Sequence, residues 1–300
     1  MAGGNKAGRE ERRYRRRRRG DGGCWALRGI LLASAAVLLA VSGWQLSEGY
    51  REQKKNEDLA KLASAANLQR EFEAAVRGIA GGSLQSMLQN EELAGIRDWE
   101  DWERPYEPPV DFEALRAVNP DVVGWIRIPD TVIDYPIVYS GDNEKYLDTG
   151  FDGRSSSSGA IFLDCDSQTD MMGRHTLFYG HHMKNGSMFA ELVNYKNEDY
   201  FKAHRDIYIY TPEREIHLLA AAALYTDAGG DKRRTAFSGQ KDFDAYVDEM
   251  TDGCSFRELP DGETERLYSL VTCSYEFGNA RTILYAVDAA EYETGGAAKD

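Results

Sequence analysis

In the stretch SLVTCSYEFGNARTILYAV, Ser269 to Val287, Cys273 ends one apolar run and Arg281 begins the next. If LYSLVTC and RTILYAV are neighbouring antiparallel strands that turn at Gly278-Asn279, a thiol and a guanidinium share one rim. A cysteine attacks as the thiolate and its leaving group must be protonated, so this pair calls for a third group, and histidine is the candidate. Five histidines are present. His175 opens an apolar run and His217 lies within one, which suits core or surface histidines, while His204 follows Lys202 in a polar stretch. His181 and His182 differ, because TLFYGHHMKNG places them after an apolar run and Gly180, at a strand-to-loop junction where a catalytic imidazole can be mounted. On spacing alone a buried inert thiol remains the stronger reading of Cys273, and Arg281 by itself reads as a surface or salt-bridge residue.

The elements that would have to position these residues begin at Asp111. A short helical stretch, DFEALRAV, is followed by eight β-branched and aromatic runs: VVGWIRI, VIDYPIVY, GAIFLD, HTLFYGH, DIYIYT, EIHLLAAAALY, ERLYSLVTC and RTILYAV. Separated by turn residues, they predict a mainly β domain, a closed or nearly closed barrel. A helical insert, Asp242 to Met250, precedes the last two runs, and Pro136 predicts that VIDYPIVY is an edge strand or is bulged. Upstream, Leu59, Leu62, Ala66, Phe72, Val76 and Ile79 have helical spacing within Glu48 to Gly95, the pattern of a stalk. Gly81-Gly82 breaks it, and RPYEPP (Arg104 to Pro109) is a stiff linker.

Charge divides the chain more sharply. Met1 to Arg28 holds ten Lys/Arg against three acids, so a head of +7 is joined to a remainder of −21 in a chain of net −14. Between them run nineteen uncharged residues, Gly29 to Ser47, with Trp25 and Trp44 near the ends, the length and flanks of a spanning helix. The Ala-x-Ala spacings lie inside the apolar run, so the segment reads as an uncleaved anchor with a cytoplasmic N-terminus and an extracellular bulk. Beside such a span the RRRRR run is a topology signal, and no nucleic-acid partner is expected. The expected organisation is a basic cytoplasmic tail (1–28), a transmembrane anchor (29–47), a helical stalk and linker (48–110), a catalytic domain (111–290) and a C-terminal tail (291–300).

Four blocks, NPDVVGWIRIPDTVIDYPIVYSGDNEKYL, GAIFLDC, TLFYGHHMKNGSMFAEL and LVTCSYEFGNARTILYAV, together resemble the class B sortases, membrane-anchored cysteine transpeptidases of Gram-positive bacteria. The resemblance spans roughly Asp111 to Val287 and implies an eight-stranded sortase-type barrel with peripheral helices. It also implies that Cys273 is the nucleophile, that the histidine after Tyr-Gly, His181, is the general acid/base, and that Arg281 holds the oxyanion or the peptide backbone. His182 falls where members often carry Asn, and since neighbours at a strand end face opposite ways, only one of the two histidines can face Cys273. The implied reaction is attack on the Thr carbonyl of a sorting signal on a secreted protein, giving a thioacyl enzyme. An amine of a peptidoglycan precursor, or a pilin lysine, then resolves it. No cofactor or metal is implied. A hydrolytic membrane-bound cysteine peptidase and a catalytically dead anchored scaffold are the competing readings.

Several features stay open at this level. Cys165 and Cys254 could pair outside the cell, although three extracellular cysteines leave one over, and unpaired thiols are the preferred reading. Arg97 to Pro105, RDWEDWERP, reads as a packing aromatic cluster, and Glu276 as a turn carboxylate that could instead orient His181. The acidic surface carries no loop with the spacing of a calcium site.

Overall fold

The computed structural model describes residues 37–39, 41–44, 47, 49–51, 53–61, 106–227, 232–273 and 280–296. They divide into two compact units, Met1–Arg51 and Glu52–Asp300. In the first, the described residues are helical, and Val37, Leu38, Leu39, Val41 and Trp44 stand exposed. Much of the expected span Gly29 to Ser47 lies outside the described residues, as do Glu276 and the RDWEDWERP segment. Among the described residues no helix is long and apolar enough to cross a membrane.

The second unit is built on eight strands: β1 (Val122–Arg127), β2 (Asp134–Val138), β3 (Ile161–Leu163), β4 (His175–Tyr179), β5 (Asp206–Tyr210), β6 (Glu215–Asp227), β7 (Leu267–Cys273) and β8 (Ala280–Asp288). They close into a barrel in the order β1-β2-β3-β4-β7-β8-β6-β5, with β5 pairing back to β1. Each of the eight apolar runs supplies one strand. The period of two puts one set of side chains inside, where Ile126, Ile137, Phe178, Leu270 and Leu284 belong to one buried cluster. Burying such side chains stabilises by about 1.5–3 kcal/mol each.

Pro136 does not mark an edge. Strand β2 lies between β1 and β3, and the irregularity in the β1–β2 ladder is on β1, between Val122 and Gly124. The β3 ladder starts only at Ile137, so the proline sits where β3 has no residue aligned with it and its missing N–H leaves no gap.

Among the described residues from Phe112 onward, four α-helices flank the barrel. Helix α1 (Phe112–Val118) is capped by Asp111, whose carboxylate accepts from the Ala114 N–H at 3.0 Å, and it buries Phe112 and Leu115. Helix α2 (Glu198–Ala203) follows a 3₁₀ turn at Ala190–Lys196, and α3 (Gln240–Thr251) is the expected insert. Phe243, Tyr246, Val247 and Met250 of α3 pack on Ala221, Ala222, Val271, Ile283 and Tyr285. The alanine run of β6 makes room for this: a register shift between Ala220 and Ala222 leaves Ala220 and Ala223 in the barrel core and turns Ala221 and Ala222 toward α3.

Helix α4 (Ala289–Gly296) occupies most of what the sequence suggested as a C-terminal tail. Its Glu291 accepts the backbone N–H groups of Glu265 and Arg266, and the Tyr292 hydroxyl donates to the Glu258 carbonyl. The helical residues 53–61, expected in a stalk, pack Leu59 and Ala60 against the cluster of Val110, Phe151 and Ala160, and Lys55 pairs with Asp152 at 3.2 Å.

Candidate active site

Two strand pairings assemble the rim that carries the reactive residues. Strands β7 and β8 are antiparallel and place Cys273 opposite Arg281. Strands β4 and β7 are parallel, with Tyr179 beside Val271, so both chains leave the barrel at the same end. The Gly180 N–H donates to the Val271 carbonyl at 3.2 Å, which carries the pairing one residue further and sets His181 beside the Thr272-Cys273 end of β7. Gly180 is required by space: a Cβ there would lie 2.4 Å from Ile161 Cδ1 and 2.7 Å from Phe189 Cδ2.

A cleft of about 270 Å³ opens at this rim, lined by His181 and Arg281 together with Leu147, Tyr179, Thr272 and Arg233. The His181 Nε2–H donates to the Leu147 carbonyl at 2.6 Å, which orients the ring at the cleft. His182 does not line this cleft; it forms an isolated bridge with Met188. The structure therefore brings His181, Arg281 and the backbone of Cys273 to one place and sets His182 apart from it. A larger cavity of about 360 Å³ under residues 53–61 is lined by Leu59, Tyr135, Phe151 and Met188 and, among the described residues, by no histidine or cysteine.

One side of the cleft is organised by a carboxylate that does not reach solvent. Asp164, the residue after β3, is fully buried, and its Oδ2 accepts from Arg233 Nε at 2.8 Å, the Tyr179 hydroxyl at 2.8 Å and Asn143 Nδ2 at 3.1 Å. All three donors line the cleft. Burial alone would raise the Asp164 pKa, but the hydrogen bonds from Arg233, the Asp166 N–H and Tyr179, with the Arg233 charge, hold it below the usual carboxylate range. Burial and this neighbouring carboxylate push the Tyr179 phenol well up. Asp164, Cys165 and Asp166 offer ligand atoms within 4.8 Å of one another, and at this cluster the cation is Arg233, which also reaches Asp166 at 3.5 Å.

Sequence reasoning missed this carboxylate and its three donors. The available signal was an Asp closing an apolar run, GAIFLD, where a buried carboxylate must find donors. Cys165 and Cys254 are free thiols, and burial pushes Cys254 up to about 12. His175, assigned to structure by the sequence, is buried; its Nδ1–H donates to the Arg234 carbonyl at 2.8 Å and its Nε2 accepts from the Ser269 hydroxyl at 2.7 Å.

Comparison with known proteins agrees with this architecture. Residues 126–289 match the sortase domain family. Sortase B of Listeria monocytogenes is 30% identical over 167 residues, covering 55% of this chain and 68% of that protein. Sortase B of Staphylococcus aureus is 24% identical over 213 residues, covering 71% and 75%. Among solved structures, Clostridium perfringens sortase B superimposes with a TM-score of 0.54 at 31% identity, covering 59% of this chain and 98% of that one. A Staphylococcus aureus sortase B–substrate complex gives 0.54 at 26% identity, covering 59% and 83%. The chain belongs to the sortase family, and within it to class B. Its activity is that of a cysteine transpeptidase that attaches surface proteins to the cell wall.

Proposed function

We propose that Cys273 is the nucleophile, His181 the general acid/base and Arg281 the oxyanion or backbone-binding cation of this transpeptidase. The observation that carries the assignment is the pairing of β7 with both β4 and β8, which gathers Cys273, His181 and Arg281 at one rim. Cys273 attacks the Thr carbonyl of a sorting signal, and His181 protonates the departing amine as the C–N bond breaks. The thioacyl enzyme is resolved by an amine from which His181 removes a proton, so the imidazole ends as it began. Arg281 supplies fixed positive charge where the tetrahedral oxyanion develops. The acceptor is a peptidoglycan-precursor amine.

The test offers the purified protein a library of sorting-signal peptides with and without a short amine. Mass spectrometry should find the acyl group on Cys273 and an amine-dependent product. Hydrolysis as the sole product would favour a peptidase, and a pilin lysine preferred over peptidoglycan amines would favour pilus assembly.

The same reading makes residues 29–47 a single-pass anchor with the tail 1–28 in the cytoplasm and residues 111–290 outside as the catalytic domain. It is supported by the +7 head and by the exposed apolar side chains of Val37, Leu38, Leu39 and Val41 on helical backbone. Protease added to intact protoplasts should remove the catalytic domain; a protected domain would overturn this topology.

A further inference from the structure

The segment between β6 and α3 is tied to the barrel through two consecutive residues. The Arg233 side chain reaches Asp164 at the end of β3, and the Arg234 carbonyl accepts from His175 at the start of β4. Arg234 also ion-pairs with Asp242 in the first turn of α3 and lies over the Phe237 ring, so the tie continues into the helix. Arg233 is half exposed while Asp164 is not exposed at all, so an arginine at the surface of the cleft is held by a carboxylate behind its wall. The same Asp164 oxygen holds Tyr179 and Asn143, which come from β4 and from the loop after β2. One buried charge thus sets the relative positions of three cleft-lining side chains from three separate segments.

We propose that Arg233 and Asp164 are positioning residues for sorting-signal binding, the Arg233–Asp164 pair holding the segment before α3 in place as one wall of the cleft. Arg233 is assigned no proton transfer and no bond-making step. The inference rests on the assignment of Cys273 as nucleophile in this cleft. Without the pair, the wall formed by Arg233 loses its tie to the wall formed by Tyr179 and Asn143, and the peptide meets a cleft whose sides are no longer in register. Lysine at position 233 would keep the charge but not the planar donor set that reaches both Asp164 and Asp166.

The full-length protein is compared with Arg233→Ala, Arg233→Lys, Asp164→Asn and Cys273→Ala in steady-state transpeptidation of a sorting-signal peptide. Mixed-disulfide formation between Cys273 and a small methanethiosulfonate reagent, with methanesulfinate as leaving group, is measured in parallel. Arg233→Ala is expected to raise KM for the peptide by about tenfold, the scale of one lost charge-assisted contact. Its kcat and its rate of thiol modification should stay near the parent values, with Arg233→Lys intermediate in KM. Asp164→Asn should move KM in the same direction, with folding checked by thermal denaturation because this side chain is buried. An unchanged KM in Arg233→Ala would overturn the proposal, and so would a fall in kcat and thiol-modification rate as large as the change in KM. Activity retained by Cys273→Ala would instead overturn the catalytic assignment, so the two failures are distinguishable.

Discussion

Strands β4 and β7 carry a histidine site at each end of their shared ladder, and the two ends have opposite chemistry. At the start, His175 is enclosed, both ring nitrogens are engaged by Arg234 and Ser269, and burial lowers its pKa to about 4. Past the other end, His181 lines the cleft, its Nε2–H donating to the Leu147 carbonyl. Both follow from the same parallel pairing, so residue type does not separate the structural histidine from the one proposed as acid/base. What separates them is whether the strand end is covered, by α3 and its leading segment at one end, or opens into the cleft at the other.

The largest test of this contrast is at the open end. Cys273→Ala should abolish peptide transfer, and His181→Ala should lower it by about 10²- to 10⁴-fold, the usual contribution of a positioned acid/base. Stopped assays on the purified variants read both, and near-normal turnover in either removes that residue from the mechanism.

At the covered end the loss should appear in stability. His175→Leu removes the hydrogen bonds that His175 makes to the buried Ser269 hydroxyl and to the Arg234 carbonyl, at about 1–3 kcal/mol per group, or a drop in Tm of several degrees. In the folded fraction the methanethiosulfonate reactivity of Cys273 should be unchanged. Equal losses in stability and thiol reactivity would merge the two ends into one functional unit.

Acid sharpens the comparison further. Because the folded pKa of His175 lies below its ordinary 6.5, the unfolded chain takes up the proton first. The contribution of neutral His175 is whole above pH 6.5 and shrinks as pH falls toward 4, by on the order of 3 kcal/mol. Thermal melts between pH 7 and 4.5 should show a steeper decline in the parent than in His175→Leu; equal slopes would contradict the assignment.

The smallest effects are expected beside the cleft and away from it. His182→Asn should change transfer by less than about tenfold, below the range for a positioned acid/base. Cys254→Ala should remain active, its thiol being held protonated by burial at neutral pH. A dead His182→Asn with an active His181→Ala would exchange the roles of the two histidines.

The strands were legible because each is a short apolar run between turn residues, and the Cys273–Arg281 pairing because β7 and β8 are joined by one short connection. The parallel β2–β3 and β4–β7 pairings were not, since local periodicity carries no information about which distant strand is the neighbour. His181 could be placed at a strand end from TLFYGHH, but its approach to Cys273 depends on that unseen pairing. Asp164 was hidden for the same reason, because its donors Asn143, Tyr179 and Arg233 come from three segments that meet only in the closed barrel. Pro136 misled because a proline rule for central strands assumes a full ladder on both sides, and β3 is only three residues long.

The parallel contact between β4 and β7 also has a consequence in time. His181 and Cys273 are roughly ninety residues apart in the chain, and β5, β6 and α3 lie between their strands. Contacts of such sequence separation close late, after the loop entropy of the intervening chain has been overcome. Before they close, the β7 end that carries Cys273 has neither the cleft nor the β4 end that carries His181 beside it. With Cys273 as the proposed nucleophile, its activation waits on barrel closure.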